Sequence, residues 1–269
     1  VIRAMNTDRC YPVATAAVRR AVNGDEFCRP AETILGERIR VLSKKEEATY
    51  VARGLTLNVP AASGLVADLG GGSVEIVALK KGEIQHSVSL NYGHLSTADE
   101  AEIITALTQI GWIKTFAAEQ LFGVGGSFRA LGLAFIERES YPLPVLHGLK
   151  VSNDKALALC NDFIQPESAL EGVPFARRKT MPMATRIIRA IINVSSVRRV
   201  IISGTSIRDG VLADNELNET QRADFLVAIS QEIAGTSFRF AGAADALKHF
   251  LRPLTIGRKP RFARLLYVA

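Results

Sequence analysis

Three consecutive glycines behind an acidic residue are the most chemically informative feature of this 269-residue sequence. The segment Asp68-Leu-Gly70-Gly71-Gly72-Ser73 lies between two apolar runs that read as strands. Successive glycines let the backbone turn sharply and aim several N–H groups at one anion. Ser73 adds a hydroxyl donor. Asp68 would repel a phosphate bound there, and Mg²⁺ held by Asp68 through water resolves the conflict. A second segment, Gly123-Val-Gly125-Gly126-Ser127, repeats the chemistry ahead of a helix, whose free N–H groups and dipole also favour an anion. The first loop is neither a Walker A motif nor a dinucleotide fingerprint, because the Gly-Lys-Ser/Thr ending, the Gly-x-Gly-x-x-Gly spacing and a following helix are absent.

Carboxylates accompany the loops. Ser43 and Glu46 have the spacing of a capping box, which accounts for both and leaves Glu47 over. Glu47 in a first helical turn could simply complement the dipole, or act as a general base that aligns a water for attack on phosphorus. Glu75, on the strand leaving the first loop, is either an outward strand residue or a second carboxylate for the metal or the water. Arg19 and Arg20 are adjacent on the first helix; one is expected in solvent, the other reaching toward the phosphates. The basic runs Arg177-Arg178-Lys179 and Arg258, Lys259, Arg261 and Arg264 read as solvated. His86, His94, His147 and His249 stand alone and receive no role.

The elements that must position these residues alternate between strand and helix, which predicts an α/β chain. Tyr11 to Val13 reads as a strand. Thr15 caps a helix that Asn23-Gly24 stops, and Ile39 to Leu42 is a strand. Ser43 opens a helix running to about Arg53 and ended by Gly54. Asn58 to Gly64 is a linker, and strands follow around 65–67, 74–79 and 84–90. One helix is expected over 97–116, with Ser127 capping the next, then helices at 153–163 and 177–192 and a strand at 200–202. The expected domains are 1–60, 61–212 and 213–269, the last helical and polar at its start. The apolar stretch Leu265 to Ala269 ends without a cap and reads as truncated.

Composition narrows the class. Hydrophobic residues make up 48% and charged residues 22%, ordinary globular usage that excludes extensive disorder. The net charge of +6 favours anionic partners. Cys10, Cys28 and Cys160 are odd in number and widely spaced, against a disulfide framework or a zinc site and in favour of a reducing cytoplasm. No apolar run approaches the length of a membrane span.

Five stretches together resemble the exopolyphosphatase/guanosine pentaphosphate phosphatase family. They are Ala14 to Gly24 with Glu26-Phe27, Val41 to Ala48, Asp68 to Glu75, Gly123 to Ser127, and Ser203-Gly-Thr-Ser-Ile-Arg-Asp-Gly210. The resemblance implies a two-lobed actin-like ATPase (ribonuclease H-like) fold with phosphate bound between the lobes, and Mg²⁺-dependent hydrolysis of a terminal phosphoanhydride. By position it makes Glu47 the catalytic base and Asp68 and Glu75 the metal and water carboxylates. It makes Gly70, Gly71, Gly72, Ser73, Gly125, Gly126 and Ser127 phosphate-loop residues, and Arg19 the phosphate-facing arginine. Two departures stand out. Family members open with an Asp-x-Gly-Ser-Asn-Ser loop that does not occur here, so the first part of the first lobe is expected to be missing. Ser206 stands where a glycine is usual.

The reading is therefore an exopolyphosphatase, with guanosine pentaphosphate as the alternative substrate and a homodimer among the expected assemblies. No nucleic-acid duplex and no membrane is expected as a partner. Two rivals from other classes are a kinase or ATPase of the same superfamily, which would need adenosine and acceptor sites, and a non-catalytic phosphate sensor. Glu47, Asp68 and Glu75 argue against the sensor, since a sensor needs fewer carboxylates beside a polyanion.

Overall fold

The computed structural model describes residues 9–117, 120–165, 170–218, 249, 250 and 253. The chain divides into two compact units, Val1–Leu212 and Ala213–Ala269. In the second, the described residues begin with the end of a helix; the polar helical reading at Glu219, Gln221 and Arg222, the basic tail and the apolar terminus lie outside the described residues.

The first unit opens with β1 (Val13–Ala14), α1 (Ala16–Arg20), α2 (Gly24–Leu35), β2 (Arg40–Val41) and α3 (Lys44–Asn58). β1 and β2 pair in parallel, Val13 opposite Arg40. α1 already ends at Arg20, before the expected stop at Asn23-Gly24, which instead opens α2, a helix hidden from sequence reading by Pro30 in its interior. The capping box is present: the Ser43 side chain accepts from the Glu46 N–H, and the Glu46 carboxylate accepts from the Ser43 N–H at 2.8 Å.

A six-stranded mixed sheet follows, in the order β5-β4-β3-β6-β8-β7. Its strands are β3 (Gly64–Leu69), β4 (Val74–Lys80), β5 (Glu83–Leu90), β6 (Gln120–Val124), β7 (Lys150–Ser152) and β8 (Arg199–Ile202). β3, β6 and β8 run parallel, and β4, β5 and β7 antiparallel to their neighbours. The segments 64–80 and 199–202 thus share one sheet, with β6 between them.

Strand parity sorts the core. Leu65, Ala67, Leu69, Val74, Ile76 and Ala78 pack with the large cluster that includes Phe128, Ile187, Ile188 and Ile191. Val66, Val77, Leu79, Phe122 and Val124 point the other way, onto Ala48, Val51, Ala52 and Leu55 of α3. Both faces of β3 are covered, which is why it reads as a continuous apolar run.

The remaining helices are α4 (Glu100–Thr108), α5 (Ile113–Ala117), α6 (Gly126–Arg138), α7 (Asn153–Ile164), α8 (Phe175–Arg178), α9 (Met181–Ser195) and α10 (Ile207–Glu216). The single helix expected over 97–116 is two, broken at Ile110-Gly111. The helix expected over 177–192 is α8 and α9, separated by the turn that closes at Thr180.

α3 continues past the expected stop at Gly54 to Asn58. The glycine is there for closeness: a Cβ on it would stand 2.4 Å from the Ser206 carbonyl oxygen. Gly54→Ala should therefore destabilise the protein by roughly 1–3 kcal/mol, the usual range for overpacking, despite alanine's better helix propensity. Urea unfolding tests this, and unchanged or increased stability would contradict the tight approach.

Candidate functional site

The site begins with parity. In the β3–β4 ladder Asp68 lies directly opposite Glu75. Both point to the face that carries α3, because their neighbours Leu69, Val74 and Ile76 point away. Glu47, in the first turn of α3, meets that face from above and is only 5% exposed. Three carboxylates from separate elements therefore line one cleft of about 590 Å³, together with Gly70 to Ser73, Arg20, Asn91 and Ser96.

Electrostatics record the crowding. Burial, then the charge of Glu47, pushes Asp68 up to about 6, with Arg129 opposing. Burial, then Glu47, pushes Glu75 up to about 7; the Ser73 and Ser89 hydroxyls oppose and Asp68 adds to the rise. The Ser89 Oγ–H donates to Glu75 at 2.9 Å. Like charges directly opposite on a sheet are destabilising, and a cation held by this pair would relieve that. Two hard oxygen donors suit Mg²⁺, which takes one or two carboxylates and completes its shell with water and substrate phosphate. Among the described residues no group of three or more His, Cys, Asp or Glu forms a metal cage of its own.

The glycine loop closes tightly. The Gly70 N–H donates to Ser73 O at 3.0 Å, which commits that amide to the turn. The turn does not use the Gly71 and Gly72 amides. Because β3 and β6 are parallel, the second loop leaves the sheet at the same edge. Gly125 has φ +93°, and a Cβ on it would stand 2.6 Å from Asp68 Oδ1. A side chain there would displace the carboxylate, so the two loops meet at Asp68. Gly125 is the N-cap of α6; Ser127, expected as the cap, instead sits inside the first turn, 1% exposed.

The two arginines divide differently from expectation. The Arg19 guanidinium donates to Glu47 and, at 2.5 Å, to Leu42 O. It holds the carboxylate instead of extending to the loops, and its Nη2 is buried without a partner. Arg20 is not idle in solvent; its Nη1 donates to Gly72 O at 3.2 Å and it lines the cleft.

Four further residues join the site without having been singled out from the sequence. Asn91 and Ser96 arrive on a loop without a motif, and Lys44 Nζ donates to Asn91 at 3.1 Å. Ile207, from the 203–210 segment, lines the cleft beside Arg20 and Glu47. Arg177 leaves its basic run to lie on Gly126, where a Cβ would stand 2.4 Å from its Nη2. Asn91 and Ser96 had no usable signal, Ile207 lay in a stretch marked only by its resemblance, and Arg177 was hidden by two equally basic neighbours.

Comparison with known proteins gives one consistent picture. The model of the Ppx/GppA phosphatase family matches residues 1–219. A guanosine-5'-triphosphate,3'-diphosphate pyrophosphatase of Aeromonas hydrophila is 25% identical over 220 residues, 76% of this chain and 44% of its own length. The protein of that name from Vibrio vulnificus is 26% identical, over 79% of this chain and 46% of its own. The chain thus spans less than half the length of the curated relatives it matches. An exopolyphosphatase structure from Cytophaga hutchinsonii shares the fold with a TM-score of 0.68 at 20% identity, covering 80% of this chain and 77% of that one. A Ppx/GppA structure from Aquifex aeolicus gives 0.63 at 22% identity, covering 79% and 77%. The α/β fold expected from the sequence is the fold these structures have. No helix among the described residues is long and apolar enough to cross a membrane.

The carboxylates also set a stability signature. A carboxyl raised in the fold opposes folding once ionised. Its full stability holds below the unfolded value near 4 and is lost as pH rises through about 6 for Asp68 and about 7 for Glu75. In chelator, the melting temperature should fall from about pH 4 to about pH 7 and level off above, at a cost on the order of 3 kcal/mol per carboxylate over the whole interval. Asp68→Asn should flatten the fall and Mg²⁺ should offset it. A melting temperature that rises over this interval would contradict the buried pair.

Proposed function

The chain belongs to the Ppx/GppA phosphatase family, and on that premise we propose that it hydrolyses the terminal phosphoanhydride of a linear polyanion, inorganic polyphosphate. The observation that carries this reading is the convergence of Glu47, Asp68 and Glu75 on the first glycine loop within one cleft.

The residues divide the work. The Gly71 and Gly72 amides and the Ser73 hydroxyl hold the terminal phosphate, with Arg20 beside them. The Gly125–Ser127 loop, at the N-terminus of α6, adds donors of the same kind. Asp68 and Glu75 would hold Mg²⁺, which when bound offsets the negative charge of phosphates brought against carboxylates. Glu47 accepts a proton from the attacking water. The water oxygen forms its bond to the terminal phosphorus while the bridging P–O bond breaks, and the shortened chain leaves with the bridging oxygen. Arg19 fixes the Glu47 carboxylate, so the base is held in position before substrate arrives. Positioning and electrostatics supply most of the acceleration.

Guanosine pentaphosphate is the second reading, favoured by the names of the two curated relatives. Phosphate release from long-chain polyphosphate and from guanosine pentaphosphate, with Mg²⁺ titrated, separates the two. Faster release from polyphosphate is the expected result, and no release from either would defeat the hydrolase reading.

Glu47→Gln should leave polyphosphate binding near wild type and lower turnover by roughly 10²–10⁴-fold. Glu46→Gln should do far less, because glutamine still closes the capping box with Ser43. Equal turnover of the two variants would remove Glu47 from the chemistry. Asp68→Asn should lower turnover and weaken its dependence on Mg²⁺ with the fold intact; unchanged activity at limiting Mg²⁺ would remove the metal role.

A further inference from the structure

The first glycine loop has a second flank. The chain leaving β5 returns across it: the His94 N–H donates to Gly70 O at 3.0 Å, and the Leu95 N–H to Gly71 O at 2.9 Å. These bonds seat the His94 ring beside the loop, where a Cβ on Gly71 would be 3.9 Å from Nε2. The ring's Nδ1 is buried and has no hydrogen-bond partner, and neither has the buried Oγ of Ser96 two residues on. On the side of the second loop, Arg177 lies on Gly126. Its charge acts on His94, and it forms no ion pair among the described residues.

Protonating an imidazole beside an uncompensated guanidinium is unfavourable in the free protein. It becomes favourable when an anion sits between the two, because both then donate charge-assisted hydrogen bonds. We propose that His94 is a phosphate-contacting residue, paired with Arg177 between the two glycine loops, and that its ring takes up a proton as a substrate with adjacent phosphates binds. The proposal rests on the phosphate-hydrolase reading above and adds to it a residue that makes substrate affinity depend on pH.

The direction follows from the surroundings. In the free protein burial, and then Arg177, hold His94 below its ordinary value, with the Gly70 carbonyl opposing. A bound phosphate replaces repulsion by attraction and raises it. Affinity is therefore greatest below the free-state value and falls as pH rises through the bound-state value. The other ionisable groups of the site are Glu47, Asp68 and Glu75 with Arg19, Arg20 and Arg129; the β3–β4 loop under the ring contributes none. All six are unchanged in a His94 variant, so the difference between that variant and wild type isolates the ring.

The probe is an imido analogue of tripolyphosphate, whose P–NH–P bridges resist hydrolysis. Its dissociation constant is measured with Mg²⁺ at about pH 6 and about pH 8 for wild type and His94→Asn, and the His94 ring is titrated by NMR with and without it. The affinity advantage of wild type over His94→Asn should shrink roughly tenfold between the two pH values, and the ring's titration should move upward when the analogue binds. An advantage equal at both pH values, or a titration the analogue does not move, would overturn the proposal while leaving the hydrolase reading intact. Failure of both proteins to bind the analogue would instead defeat the phosphate cleft, and this inference with it. If His94→Asn unfolds, the wild-type titration alone decides.

Discussion

Burying two carboxylates opposite each other on neighbouring strands is the constraint around which the rest of the site is organised. Asp68 and Glu75 occupy one cross-strand pair on a covered face, and Glu47 approaches the same face. Glu47 raises the cost of ionising both and Asp68 adds to that of Glu75, and hydroxyls from Ser73 and Ser89 and the Arg129 charge only partly compensate. A sheet built for stability alone would place valine or isoleucine there. In the reading proposed above, a cation and a phosphate substrate would offset the charge of this cluster.

The scaffold tolerates the cluster because its apolar packing is extensive on both sides of the sheet. The face away from the site carries the large cluster with α9, while the site face is sealed by the Ala48–Leu55 stretch of α3. α3 thus has two tasks. Its capping box fixes where the helix begins, and that start puts Glu47 over the Asp68–Glu75 pair while the following turns fill the core. Arg19 ties the result to α1 and the end of β2 through Glu47 and the Leu42 carbonyl. The carboxylate assigned to proton transfer is therefore among the firmly held groups of the cleft.

The parallel placement of β3 and β6 brings the two glycine loops to one edge, and Gly125 is what lets them touch. With φ +93° and the Asp68 oxygen where a Cβ would be, that position admits glycine and little else. Groups of both signs then surround the loops: carboxylates toward α3, Arg20 on Gly72, Arg177 on Gly126, and His94 against Gly70 and Gly71. A phosphate chain lying along the loops would have these groups beside its oxygens and the proposed base, Glu47, at its end.

Local patterns were enough to mark out much of this protein. Runs of consecutive glycines, the Ser43–Glu46 spacing and the apolar strands around Asp68 depend on near neighbours, and the loops, the helix start and β3 to β5 were legible from them. The same patterns left Glu47 and Glu75 each with two meanings, because one residue's periodicity does not say what faces it. Tertiary structure decided those meanings by strand register, which sets Asp68 against Glu75, and by the packing of α3 on that face. It also decided what no spacing reveals. Gly54 is a point of contact and not a helix stop, because Ser206 lies against it. Arg19 pairs with Glu47 while Arg20 reaches the loop, and one of three adjacent basic residues leaves solvent for Gly126. These outcomes depend on residues distant in sequence and adjacent in space, and burial, charge pairing and close approach are properties of that adjacency.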